Sequence, residues 1–462
     1  MADIAIDASS VARTPFVHHY GSLNEETASI DSQEDLPSLK RCSVTEASSN
    51  LINVMLGAGV FYLPYTLLLS GWSALLPILL LGLIALYSFS LIAQCIETAL
   101  QTSTSSSKSL VNITYADLGR LSFGPLGGPF CMLSLSIEFT LAAVSMVINI
   151  GVNVHSAFPF LSTTSGIVLS SVLVYLLTFI EDLKQFSKLS SFGNFAIFTA
   201  FVFLIISGLQ FYASLSPLDT VEFYSLIKPQ GLPLSSGLIV FCYGGIGAFP
   251  KIYMSLENRS RVFELLLLSG VCIIGAYAAV AFTGYAFYGK YVQMPITSAM
   301  GFDKYGHLLP YGRLIQHTAT LGIAMNLQLT IPLILFTVKD MMQELILSCS
   351  SSIAATSSAQ SRPTLLTRLI FFLLVLIIMM AAIFFRTGFA TLCSLVGSIA
   401  TSINSVCLPI FFYHTICYRQ ITLQRTAMHA FILLLVLSSS VAGITSNICK
   451  LKGCTTGLCA FL

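Results

Sequence analysis

The sequence predicts an all-α integral membrane protein of about eleven transmembrane helices, arranged as two inverted halves of five with one extra C-terminal helix. Three observations carry this reading. The 462 residues are 55% hydrophobic and only 9% charged, with a mean hydropathy of +0.84, where a soluble domain carries roughly 25% charged residues. Apolar runs recur along the chain, each near the ~20 residues a membrane-spanning helix needs. Two of those runs, five spans apart, are interrupted at their centres by glycine and close on a proline.

The first ~45 residues are polar and lack an apolar core, so residues 1–44 read as a cytosolic, disordered tail. No cleavable signal peptide is visible, and the first span must itself direct insertion. The spans then run Ala47–Ser70, Ala74–Ala99, Gly128–Ala157, Gly166–Ile180, Phe192–Leu215 and Ser236–Leu256. They continue as Glu264–Tyr288, Leu314–Val338, Leu365–Phe385, Phe389–Tyr413 and Thr426–Ile448. Gln101–Gly124 is a polar, serine-rich loop and Ser348–Ser361 a Ser/Ala-rich one. Residues 45–448 therefore form the membrane domain, and 449–462 a short non-cytosolic tail.

Basic residues test the count. With the N-terminus inside, cytosolic flanks hold Lys40, Arg41, Arg120, Arg259, Arg261, Arg419 and Arg425 among others, an excess of about two to one over the opposite flanks. The sequons at Asn112 and Asn258 both fall on the cytosolic side and are expected to stay unmodified. A formal net charge of +2 leaves no basic field for nucleic acid. The twelve cysteines lie mostly inside apolar runs as small hydrophobes. Cys449, Cys454 and Cys459 cluster at the end, open to a disulfide, to lipid attachment or to remaining as thiols.

The first span contains Asn50-Leu51-Ile52-Asn53-Val54-Met55-Leu56-Gly57-Ala58-Gly59-Val60-Phe61-Tyr62-Leu63-Pro64-Tyr65. Gly57 and Gly59 weaken the helix and Pro64 removes a donor and crowds the preceding turn. Unpaired backbone groups in hydrocarbon cost several kcal/mol each, so a break is tolerated only where protein or a water-lined cavity satisfies it. A packing face with a proline kink would give the same residues. The sixth span repeats the pattern in Ile239-Val240-Phe241-Cys242-Tyr243-Gly244-Gly245-Ile246-Gly247-Ala248-Phe249-Pro250. Five is odd, so the two broken helices cross the membrane in opposite directions. Paired interruptions in corresponding positions of two halves point to an inverted-repeat transporter with its site at the interface.

Several stretches together resemble the amino acid/auxin permease family, over nearly everything from Ser43 to Tyr413. Asn53, Gly57, Gly59 and Pro64 match its N-x-x-x-G-x-G-x-x-x-x-P form, followed by Tyr65 and Gly71-Trp72. Tyr115-Ala116-Asp117-Leu118 with Phe123-Gly124 is similar to its loop signature, and Leu189-Ser190-Ser191-Phe192-Gly193 to its fifth-span entry. Gly284-Tyr285-Ala286-Phe287-Tyr288-Gly289 resembles the end of its seventh span, and Leu395-Val396-Gly397-Ser398 with Leu408-Pro409 its tenth. The resemblance implies a fold of the leucine-transporter type that moves amino acids with sodium or protons.

Substrate binding is expected from backbone at the two breaks: Gly57, Ala58, Gly59 and Val60, with Phe241, Tyr243, Gly244 and Gly245 opposite. Half-helix ends left without partners suit the charged ends of a zwitterion. Phe61 and Tyr62 are either shape filters or packing. Resemblance to sodium-coupled relatives places side-chain oxygens for a Na+ at Asn53 and Thr330; the alternative for both is ordinary interhelical hydrogen bonding. Glu138 lies mid-span, where a charge costs at least ~2.5–3.5 kcal/mol. Burial favours its protonated form, as a proton carrier requires. Lys251 is its candidate partner, or reaches to the headgroups.

The sequence thus predicts a secondary-active amino acid transporter, not an enzyme. It has no cofactor beyond a coupling Na+ or H+, favours a neutral substrate, sits as a monomer in the lipid bilayer, and binds no nucleic acid. Plasma membrane and vacuolar or lysosomal membrane fit equally. A non-transporting amino acid sensor on the same fold is the alternative.

Overall fold

Serine starts the first helix. Ser43 accepts the Glu46 N–H while the Glu46 carboxylate accepts the Ser43 N–H, a reciprocal cap that fixes the entry of α1, Val44–Met55. The computed structural model describes residues 42–57, 59–103, 113–179, 183–349 and 365–452. Among these residues the regular structure is helical, joined by turns and loops, with only the isolated bridges Cys42–Leu256 and Phe302–Leu308 besides. The helix order follows the order of the apolar runs.

The first span is α1 and α2 (Leu63–Ser70), separated by the glycines and a 3-10 turn at Val60–Tyr62. It is followed by α3 (Leu75–Ser103), α4 (Tyr115–Phe123), α5 (Gly127–Ala157), α6 (Thr163–Leu177) and α7 (Leu183–Ala213). The sixth span is α8 (Leu232–Cys242) and α9 (Phe249–Met254), split around Gly244 and Gly245. Then come α10 (Val262–Tyr288), α11 (Gly312–Cys349) and α12 (Leu365–Phe385). The tenth span is α13 (Phe389–Val396), a π-helical stretch over Gly397–Thr401 and Ile403–Cys407, and α14 (Leu408–Ile416). The last helix is α15 (Leu423–Lys452). Among the described residues eight helical runs are long and apolar enough to cross a membrane, and the chain is an integral membrane protein.

Three details depart from the sequence expectation. The loop Gln101–Gly124 contains α4, because Thr114 and Asp117 form a reciprocal cap that nucleates a short amphipathic helix. The eighth span runs on past Val338, its polar residues Lys339, Asp340 and Glu344 extending α11 beyond the apolar zone. Span ten is widened by the π-helical turns that the sequence reading did not anticipate. At the far end Cys449 is disulfide-bonded; Ala58, Cys454 and Cys459 lie outside the described residues.

The two broken helices sit side by side and antiparallel. Ser70 at the end of α2 donates to Ser235 at the start of α8, 2.6 Å away. At the other face, Cys42 just before α1 donates its N–H to Ser255 O just after α9, at 2.8 Å. Accordingly α2 packs on α8 and α1 on α9, with α10 against both halves of the first span. The tenth span packs on α8 through glycine: a Cβ on Gly397 would lie 1.9 Å from Gly237 O. Only a missing side chain permits that approach.

On the face where α2 ends, the loop after α7 is tied to the loop after α10 by the Lys304–Asp219 ion pair. Lys304 and the Ser216 hydroxyl and N–H hold the Asp219 carboxyl at about 2, well below its ordinary range. A depressed carboxyl pKa contributes stability that is complete above the unfolded value of ~3.9 and is lost only as pH falls through the folded one. The tie should therefore persist unchanged from pH 8 to pH 5. Limited proteolysis of residues 214–231 should not accelerate over that range, whereas Asp219→Asn should accelerate it at every pH. A second prediction concerns the glycine crossing. Gly397→Ala should lower thermal stability sharply, while Gly275→Ala, with nothing within 4 Å of its Cβ, should not; a thermal melt of both purified variants decides this.

Candidate functional site

The site begins with two helix C-termini that stop in the middle of the membrane domain. Four carbonyls at the end of each helix have no partner within it. The last residues of α1 and α8 are Met55 and Cys242, and one side chain reaches both. The Tyr277 hydroxyl, from the centre of α10, lies 2.5 Å from Met55 O and 2.7 Å from Cys242 O. Tyr277 is fully buried and packs against Tyr243, the two rings tilted with centroids 5.0 Å apart. The Tyr243 hydroxyl in turn donates to Ile78 O of α3 at 2.8 Å. The breaks also touch directly: Cys242 Sγ is 3.3 Å from Gly59 O, and a Cβ on Gly59 would come within 2.7 Å of that sulfur.

The geometry brings together most of the expected backbone set. Gly59 and Val60 are buried at the first break. Gly245 takes a left-handed conformation (φ +118°) and its Cα faces Val54 and Met55 of α1. Gly244 faces Glu138: a Cβ there would be 3.0 Å from Glu138 Oε1 and 3.3 Å from the Thr401 methyl. Phe241 is half-buried and Tyr243 is buried. Gly57 has room, with only the Met146 methyl 4.0 Å from where its Cβ would be.

Glu138 is 4% exposed and lies against the second break, not beside a cation. Its Oε2 accepts the Asn404 amide at 2.6 Å. Asn404 sits in the π-helical stretch and is itself fixed: its Oδ1 accepts Ser134 Oγ at 2.7 Å, and its carbonyl accepts the Tyr115 hydroxyl at 2.6 Å. Lys251 is exposed and forms no ion pair with Glu138. The partner expected of it is thus replaced by an amide, because α9 carries the lysine outward. Wide π turns often mark functional positions, and here the extra width delivers Asn404 to the carboxyl.

Asn53 is half-buried one turn before Gly57. Thr330, two residues before Pro332, donates to Asn326 O within its own helix at 2.9 Å. The helices that carry these two residues have different main neighbours: α10 and α9 for α1, α5 and α7 for α11.

Sequence reading missed Tyr277, Asn404 and a buried amide chain. Asn149 donates to the Tyr62 hydroxyl at 2.7 Å and accepts from Asn153 at 2.6 Å, and Thr297 donates to Asn153 at 2.8 Å. Tyr62 also meets Phe389 edge-on at 5.1 Å. The available signal was two asparagines four apart in an apolar span, hence on one helix face. Phe61 is buried as well, 2% exposed.

Antiparallel broken helices meeting at mid-depth, flanked by a continuous seventh span, define the leucine-transporter fold. A manganese transporter from Eremococcus coleocola superposes with a TM-score of 0.57 at 14% identity, covering 93% of this chain and 91% of that one. A Na+-coupled sialic acid symporter superposes equally well, at 13% identity over 88% and 90%. The chain belongs to the transmembrane amino acid transporter protein family, whose profile matches residues 40–450. That is a family of transporters and not of enzymes. Among curated proteins it is similar to the amino acid transporters AVT1D (29% identical, 57% of this chain, 48% of that one) and AVT1C (26%, 62% and 51%) of Arabidopsis thaliana. The match spans about half the length of these relatives.

If Tyr277 bridges the two half-helices, Tyr277→Phe should lower the stability of the purified protein by roughly 0.6–1.7 kcal/mol, the range for an interhelical hydrogen bond in a membrane. Double-variant cycles with Cys242→Ala should be additive, since Tyr277 bonds the carbonyl of Cys242 and not its sulfur.

Proposed function

We propose that this protein is a secondary-active amino acid transporter that works by alternating access around the paired breaks, with neutral amino acids as cargo. The observation that carries the reading is the convergence of the C-terminal ends of α1 and α8 on the Tyr277 hydroxyl. These ends present carbonyls at mid-depth, where an ammonium or a cation is otherwise hard to accommodate. The turns Val60–Tyr62 and Ile246–Ala248 that follow open the second half-helices, whose N–H groups suit a carboxylate. The backbone of Gly57, Ala58, Gly59, Val60, Phe241, Tyr243, Gly244 and Gly245 binds the zwitterion.

The proton is the coupling ion for which the chain provides a carrier. Glu138 touches the second break, is buried, and is held by a neutral amide. Its charge would therefore be balanced by substrate or proton, not by a fixed cation. Na+ at Asn53 and Thr330 is the competing coupling: Thr330 donates its hydroxyl proton to Asn326 O, which leaves its oxygen lone pairs free for a cation. The face on which α1 begins is cytosolic in this reading.

The test is uptake of labelled amino acids into proteoliposomes under an imposed proton or sodium gradient. Accumulation against the amino acid gradient is expected. Binding without accumulation would instead identify a sensor. Glu138→Gln should abolish the response to a pH gradient while equilibrium binding persists; an unchanged pH response removes Glu138 from coupling. Gly57→Leu, which adds bulk where space exists, should stop uptake in a protein that still purifies as a monodisperse species.

A further inference from the structure

A cavity with polar walls lies away from the breaks, on the face where α1 begins. It has a volume of about 660 Å³ and is walled by Gln94, Glu97 and Gln101 of α3, by Tyr253 of α9, and by Glu257 and Arg259 of the segment linking α9 to α10. That size falls within the ~300–1,000 Å³ of small-molecule sites. Its central ion pair is loose. Arg259 Nη1 stands 3.5 Å from Glu97 Oε1, with the two side chains 41% and 40% exposed. Arg120–Glu344 and Lys339–Asp340, by comparison, close to 2.6 and 2.7 Å. The same Glu97 oxygen accepts the Tyr253 hydroxyl at 2.8 Å.

We propose that this cavity is a second binding site for an amino acid zwitterion, whose carboxylate takes Arg259 and whose ammonium takes Glu97 and Glu257. The charge pattern selects this class. A plain anion would face two carboxylates, a plain cation would face the guanidinium, and an apolar ligand would leave the polar walls unpaired. A zwitterion satisfies both signs and replaces a weak contact with two charge-assisted ones. An aminoethyl phosphate lipid headgroup shares this chemistry and is distinguished below.

The position gives the site a consequence. The Glu257 N–H donates to Cys42 O at 3.0 Å, beside the Cys42 N–H bond to Ser255. Glu257 thus belongs both to the cavity wall and to the latch joining the entry of α1 to the end of α9. Occupancy braces the outer ends of both half-helices on this face, and so couples to the alternating access proposed above, on which the regulatory meaning rests. Binding at the two sites is linked reciprocally.

The experiment uses the full chain in nanodiscs of phosphatidylcholine and phosphatidylglycerol, with a ¹⁴C-labelled mixture of the protein amino acids as probe. Gly57→Leu blocks the central site, so the signal it loses reports the proposed function separately. The binding that remains in Gly57→Leu should vanish when Arg259→Gln or Glu97→Gln is added. Amide hydrogen exchange over residues 255–259 should slow with probe in Gly57→Leu and not in the double variants. Repeating the measurement with phosphatidylethanolamine in the disc separates the sources: unchanged probe binding marks the free amino acid as ligand, and displacement marks the headgroup. Absence of residual binding in Gly57→Leu, or residual binding indifferent to both second substitutions, overturns the proposal.

Discussion

A backbone carbonyl that ends a helix in hydrocarbon must find a donor, and in this protein two such ends find the same one. The Tyr277 hydroxyl sits between Met55 O of α1 and Cys242 O of α8. It has a single proton, so neither carbonyl is permanently satisfied. This sharing makes the interruption of two helices tolerable while leaving acceptor capacity at the junction. The antiparallel pairing of the half-helices, the close approach of Gly59 to Cys242, and the tilted ring contact of Tyr243 with Tyr277 all serve to hold that junction in place.

Around the junction the polar groups form two separate networks. On one side Glu138 meets Gly244 and is bound by Asn404, which is itself held by Ser134 and Tyr115. On the other side an amide chain leads from Tyr62 through Asn149 and Asn153 to Thr297, in the connection between α10 and α11. Buried amides and hydroxyls with satisfied partners rigidify the surrounding helices. The first network carries an ionisable group and the second does not. The cavity at Glu97 and Arg259 lies outside both and touches the half-helices from their outer ends.

Much of the architecture could be read in the chain. Composition excluded a soluble fold, the apolar runs placed the helices in order, and the glycine–proline pairs at Gly57–Pro64 and Gly244–Pro250 marked where two of them break. Glu138 stood out because carboxyls are costly in an apolar span. Its partner did not, since an arginine or lysine is the obvious complement in a list of residues and Asn404 is not. Lys251, two residues after Phe249 in the sequence, is carried to the exposed side of α9. The helix α4 was hidden because its capping residues, Thr114 and Asp117, lie in a segment whose overall polarity reads as loop.

Sequence alone determined that the chain lives in a membrane, where its helices run, and that two of them are interrupted and cross in opposite senses. Those properties follow from local chemistry: hydrophobic transfer, the backbone limits of glycine and proline, and the parity of the spans between them. Tertiary structure decided that one tyrosine from a third helix serves both interruptions. It likewise decided that a π-widened turn brings an asparagine to Glu138, and that Arg259 meets Glu97 across a cavity. Each of these joins groups far apart in the chain, through the packing of whole helices, and no spacing rule along one segment encodes such a meeting.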